Sequence, residues 1–204
     1  SYSINFIDIN YIILVHFTVK SEKAMKQKKI VFPLLIIIVV LLGAIATASF
    51  MTRKAQAAFL EGYGLAGMDV KAIVNKLDST INEDPSLSSS INGEQLMLSD
   101  GKKSIAMDLP KDVFYLSFAP YENTTHPCAI HSLKSCRGEL VNVPVQVKIT
   151  AENGDVLIDQ NLTTMENGFI GVWLPRNMQA ELRVSYAGKS ASAPISTYTD
   201  SDTC

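Results

Sequence analysis

Beyond residue 57 the apolar positions of the chain follow two different periods. In "GMDVKAIVNKLDST", residues 67–80, Val70, Ile73, Val74 and Leu77 fall at i, i+3, i+4 and i+7, which draws one apolar stripe along a helix. Asp69 stands just before that run, where a carboxylate can accept from the first free amides of the helix. "EDPSLSSS", residues 83–90, has no periodic apolar pattern and reads as a polar loop. In "EQLMLSDGKKSIAMDLP", residues 94–110, the period drops to two. Leu96 and Leu98 alternate on one arm, and Ile105, Met107 and Leu109 on the other. "SDGK" between the arms is turn chemistry, with Gly101 free to take positive φ. Residues 58–110 therefore predict a small helix/hairpin unit, too short to bury a large core alone.

From Val113 onward the period stays mostly at two. "VFYLSFAP" (113–120), "VPVQVKIT" (143–150), "DVLIDQNLT" (155–163), "GFIGVWLP" (168–175), "AELRVSYAG" (180–188) and "SAPISTYT" (192–199) are six strand segments. Their spacing predicts an all-β, sandwich-like domain over residues 111–204. "ENGD", residues 152–155, is the hairpin turn between the second and third. Trp173, the single tryptophan, is expected in the core. The expected fold class is therefore α+β: a small N-terminal unit and then an all-β domain.

The N-terminal quarter reads differently. "IVFPLLIIIVVLLGAIATASF", residues 30–50, carries no charge and is long enough to cross a bilayer. Lys26, Lys28 and Lys29 precede it, and Ala55-Gln56-Ala57 succeeds it as a cleavage-type motif. Residues 25–57 are thus a signal peptide or, if uncleaved, a membrane anchor through residues 30–50. Either reading exports residues 58–204, with the basic end inside. Residues 1–24 precede the first methionine, Met25, and read as an upstream, non-native extension.

Residues 58–204 hold eleven lysines and arginines against eighteen aspartates and glutamates, a net charge of −7. An acidic exported domain is a poor partner for nucleic acid. The chain contains no G-x-S-x-G, no H-E-x-x-H and no phosphate-binding glycine loop.

The chemistry is concentrated in "THPCAIHSLKSC", residues 125–136. That loop holds two of the three histidines and two of the three cysteines, as His126-x-Cys128-x2-His131-x4-Cys136, and the third cysteine is Cys204. Three uses stay open on spacing alone. Exported cysteines commonly pair as disulfides, which leaves one over here. Thiolate and imidazole also suit Cu(I) or zinc, although the Cys–Cys gap is longer than zinc sites favour. A pair with a third thiol also permits thiol–disulfide exchange, with His126 or His131 stabilising a thiolate.

"FYLSFAPYENTTHPCAIHSLKSCRGEL", "NGFIGVWLP" and "STYTDSDTC", with "GYGLAGMDVKAIVNKLD" upstream, resemble the CueP family of exported bacterial copper-binding proteins. The similarity spans residues 60–204, and the combination H-x-C-x2-H-S-L-x2-C-x-G-E-L with a distant T-C is specific. The resemblance implies an envelope protein with an N-terminal domain associated with homodimer formation and a C-terminal β domain. It implies that Cys128, Cys136 and Cys204 are central to copper handling. It also implies a link to copper resistance and to delivery of copper to an exported Cu,Zn superoxide dismutase or another cuproenzyme. The expected function is binding of Cu(I) through cysteine thiolates, with Cu(II) open as a second oxidation state and His131 and His126 as auxiliary ligands. The alternative is a thiol-dependent metal-ion reductase or disulfide oxidoreductase using the same cysteines. The expected location is the periplasm or the outer face of the cytoplasmic membrane.

Overall fold

A computed structural model describes residues 37, 40–81 and 84–204. The extension expected over residues 1–24 and the start of the 25–57 segment lie outside the described residues. The chain divides at Ala57/Ala58, and Ala58–Cys204 is one compact unit. Helix α1 covers residues 40–62. Among the described residues no helix is long and apolar enough to cross a membrane.

In the second unit, helix α2 (Val70–Ser79) starts where the pattern places it, with Asp69 accepting from the Ala72 amide at 2.8 Å. Its stripe buries Ile73, Val74 and Leu77. A three-stranded antiparallel sheet comes next, β1 (Ser88–Ile91), β2 (Gln95–Ser99) and β3 (Ser104–Asp108), in that order. The β2–β3 hairpin turns through Gly101 at φ +81°. Strand β1 corrects the reading of residues 83–90 as loop throughout. Ser88 to Ile91 pair with Ser99 to Leu96, and Ser89 and Ile91 face inward. Three successive serines carry no apolar alternation, so this strand exists because a partner edge and a covering loop receive it.

The remaining strands are β4 (Val113–Phe118), β5 (Pro144–Ala151), β6 (Val156–Thr163), β7 (Ile170–Pro175), β8 (Gln179–Tyr186) and β9 (Lys189–Ser196). They form a two-stranded antiparallel sheet β4–β7 and a four-stranded antiparallel sheet in the order β6-β5-β8-β9. The fold is α+β. One apolar cluster lies between the two β sheets, around Phe114, Val147, Ile149, Val172 and Leu182. A second gathers α2, the three-stranded sheet, Tyr115 and Leu133.

The β4–β7 pair is covered on both faces. Phe114 and Leu116 turn to one cluster, and Tyr115 to the other. The same alternation corrects the expectation for Trp173. Leu174 and Val172 occupy the sandwich core, while Trp173 faces the other way. It is half-buried against Tyr115 at 4.8 Å between ring centroids, with its indole N–H donating to Asn75 of α2. An indole with one polar edge sits more favourably at such a boundary than in a dry interior.

Candidate metal centre

The cysteine loop leaves β4 and is stitched down at several points. The Glu139 carboxylate accepts from the backbone amides of Glu122, Asn123 and Thr124 at 2.8, 2.9 and 3.2 Å, and from the Asn123 side-chain amide at 2.8 Å. These donors favour the charged carboxylate and hold its pKa down at about 2. The two ends of the loop are thereby drawn together. Further in, the Ile91 amide donates to the His131 carbonyl at 2.9 Å and the Leu133 amide to the Ser89 carbonyl at 3.2 Å. The loop thus lies along β1, with Leu133 fully buried as its apolar anchor.

The end of the described chain is held equally firmly. The Ser117 amide of β4 donates to the Thr203 carbonyl at 2.9 Å, and the Thr203 amide donates to the Ala129 carbonyl at 2.9 Å. The Thr203 hydroxyl donates to the Ile91 carbonyl at 2.7 Å and accepts from the His131 amide at 3.0 Å. Thr203 is fully buried, and Cys204 is carried into the loop.

Cys128 and Cys204 form a disulfide with their Cα atoms 5.4 Å apart. Cys136 is free and buried, with its sulfur 3.6 Å from that of Cys128. One ligand atom from each of Cys128, His131, Cys136 and Cys204 lies within 4.8 Å of all the others. His126 is outside this group. It is exposed, its ring 6.2 Å from that of Phe169.

The His131 ring is buried against Phe169 at 4.8 Å. Its Nε2 lies 2.8 Å from Asp78 Oδ1, with both side chains inaccessible to solvent. Its Nδ1 is buried and has no hydrogen-bond partner. Asp78, on α2, also accepts from the Tyr115 hydroxyl at 2.5 Å, the Ser117 hydroxyl at 3.2 Å and the Asn167 side-chain amide at 2.8 Å. Burial, reinforced by the Asp78 charge, pushes the Tyr115 hydroxyl well above its ordinary range, so it stays a donor. Gly171 of β7 makes room for that hydroxyl, since a Cβ there would collide with the Tyr115 oxygen.

The electrostatics reflect this enclosure. Burial opposes the charged imidazole of His131, but Asp78 on one side and Cys136 on the other outweigh it and raise its pKa to about 9. Burial likewise opposes the Cys136 thiolate. His131, His126 and the Ser132 backbone overcome that and lower the thiol to about 7. A thiolate facing an imidazolium is the expected pairing at neutral pH; the thiolate is a soft donor as it stands, and the imidazole becomes a donor on giving up a proton. A buried ring nitrogen without a hydrogen-bond partner, on a histidine that joins three cysteines in one cluster, is also compatible with a site for a soft cation.

Of the five residues singled out in the sequence, four converge and His126 stands at the solvent-facing margin. Asp78, Tyr115, Asn167 and Thr203 were not legible as site residues. Asp78 alone left a trace: it falls eight positions after Val70, on the apolar stripe of α2, where a carboxylate needs an explanation.

Three cysteine sulfurs and one histidine nitrogen, gathered on an α+β scaffold, form a cluster of the kind that could hold a metal ion, which places the protein among candidate metal-binding proteins. Residues 72–204 match the model of a family described as "Periplasmic copper-binding protein CueP". The chain belongs to the CueP family, whose members are periplasmic copper-binding proteins. A solved structure described as "Crystal Structure of S.CueP" is 50% identical, covers 73% of this chain and 92% of its own, and superposes with a TM-score of 0.70. No curated protein matches the chain.

Proposed function

We propose that this protein holds Cu(I) through the reduced thiolates of Cys128, Cys136 and Cys204, with His131 Nδ1 as a fourth donor, for copper resistance or for handover. The observation that supports the reading is the convergence of those four donors within 4.8 Å. Cu(I) is soft and accepts low coordination numbers of sulfur and nitrogen. The site is oxidised, so uptake requires that the Cys128–Cys204 disulfide first gain two electrons and two protons from an external thiol reductant. His126 at the margin can meet the ion as it enters. An incoming thiolate or imidazole of an exported cuproenzyme, such as a Cu,Zn superoxide dismutase, then takes the ion by ligand exchange. In this reading residues 25–57 direct export or anchor the chain. Residues 58–110 supply a homodimer surface, and residues 111–204 carry the copper.

The test is anaerobic titration of the reduced full chain with Cu(I) against a competing chelator, with each cysteine changed to serine in turn. One tightly held ion per chain is expected, with affinity falling at least about a hundredfold in Cys136→Ser, as for loss of a ligand from a closed site. Absence of tight binding after full reduction would overturn the proposal.

A second reading is favoured by the 3.6 Å approach of Cys136 to Cys128. The Cys136 thiolate can attack Cys128 Sγ, forming Cys128–Cys136 while the bond to Cys204 breaks and Cys204 leaves as a thiolate. Two thiolates could equally give one electron each to two Cu(II) ions, yielding a disulfide and two Cu(I). Repeated turnover with an added thiol reductant, abolished in Cys136→Ser, would identify an oxidoreductase. Stoichiometric uptake without turnover identifies a carrier.

A further inference from the structure

We propose that Asp78, reaching His131 from helix α2, is a positioning residue that acts through that histidine and selects Nδ1 as the ring atom presented to the sulfurs. The inference rests on the reading that His131 serves that cluster. A fully buried carboxylate on the apolar face of a helix is costly unless every lone pair is used. Asp78 accepts from the Tyr115 and Ser117 hydroxyls and the Asn167 amide, and its fourth partner is His131 Nε2. With such partners the carboxylate acts as acceptor, so the proton between Asp78 and His131 belongs to Nε2.

That bond occupies Nε2, so Nδ1, buried and without a hydrogen-bond partner, is the ring nitrogen left over for the cluster that His131 joins. Phe169 packs against the ring in a tilted arrangement, and bonds of the His131 backbone to Ile91 and Thr203 fix the point from which the side chain starts. Rotation of the ring would surrender the 2.8 Å contact with Asp78. A histidine that offers one nitrogen to a metal and the other to a carboxylate is the usual way of orienting such a ligand. The bland alternative is that Asp78 only ties α2 to the β strands through Tyr115, Ser117 and Asn167. In that case the link to His131 is incidental.

A double-mutant cycle separates the two. Cu(I) affinity of the reduced full chain is measured for wild type, Asp78→Ala, His131→Ala and the double variant, by competition with a chromophoric chelator. Asp78→Ala should weaken binding about tenfold or more. The double variant should be no weaker than His131→Ala alone, because Asp78 has nothing left to position. Asp78→Asn keeps an oxygen that accepts from Nε2–H and should restore affinity to within a few-fold.

Long-range proton–nitrogen NMR of the His131 ring in alkaline buffer should find its proton on Nε2 in wild type. If Asp78→Ala does not fold, that spectrum and Asp78→Asn decide the matter. Additive losses in the cycle, unchanged affinity in Asp78→Ala, or a proton on Nδ1 with bare Nε2 would overturn the proposal. Should the wild type fail to bind Cu(I) at all, the proposed function falls, and the proton position in the ring still decides the role of Asp78.

Discussion

In the sheet β6-β5-β8-β9, Val145, Val147 and Ile149 turn inward while Gln146 and Lys148 turn outward, so the local sequence of β5 states which face is buried. The hairpin neighbours β5–β6 and β8–β9 pair across short turns. At the cysteine end of the same unit, the groups that touch one another come from residues 78, 115, 131, 136, 167 and 204. None of them lies on a face announced by a local period, apart from the one acid on the stripe of α2. The difference is between stability distributed over many interchangeable contacts and a constellation in which each group has its own specific partners. The first tolerates redundancy; the second fails at any one position.

Reduction of the disulfide should have the largest effect. Cys128 and Cys204 are 76 residues apart, and releasing a loop of that size costs about 4 kcal/mol on the chain-entropy model. Melting of the full chain with and without a thiol reductant should show a large fall in Tm. Cu(I) added anaerobically should restore part of it, because a ligand bound only to the folded state stabilises that state. An unchanged Tm on reduction would mean that the Thr203 bonds alone hold the end of the chain.

The next effect probes the other region. Ile149→Ala in the sandwich core should cost about 3 kcal/mol in a denaturant melt, as expected for a buried isoleucine truncated without collapse of the site. Cu(I) affinity of the folded, reduced protein should stay within about twofold of wild type, since distant sites act independently. A large loss of affinity would erase the distinction between the two regions.

The smallest effect concerns the loop closure by Glu139. Its pKa in the folded protein is lowered to about 2, against an ordinary value of 4.5. A depressed carboxylate contributes stability that is fully present above its unfolded pKa and is lost as pH falls through the folded value. The amide resonances of Glu122, Asn123 and Thr124 should therefore hold steady down to about pH 4.5 and shift together as the pH falls toward 2. Glu139→Gln should abolish that transition with little change in Tm, because the group is exposed and screened.

The helix, the β2–β3 hairpin and six later strands were legible because a period of 3.6 or of 2 reports directly on one buried face. Strand β1 was not, because its serines are indifferent to burial and only pairing with β2 extends them. Trp173 was placed inside from its size, yet in a sheet covered on both faces the pattern does not say which cluster receives it. The cluster of sulfur and imidazole was legible as a composition and as a family resemblance, and Asp78 remained hidden among the residues of an ordinary amphipathic helix.

By itself the sequence determined the α+β class, the positions of most elements and the loop in which soft donors accumulate. Only the tertiary structure decided that Cys128 joins Cys204 while Cys136 stays free, and that a carboxylate from α2 stands behind His131. The physical reason is that local patterning encodes which face of each element leaves water. Which buried faces then meet depends on contacts between residues far apart in the chain, formed only when the whole unit closes.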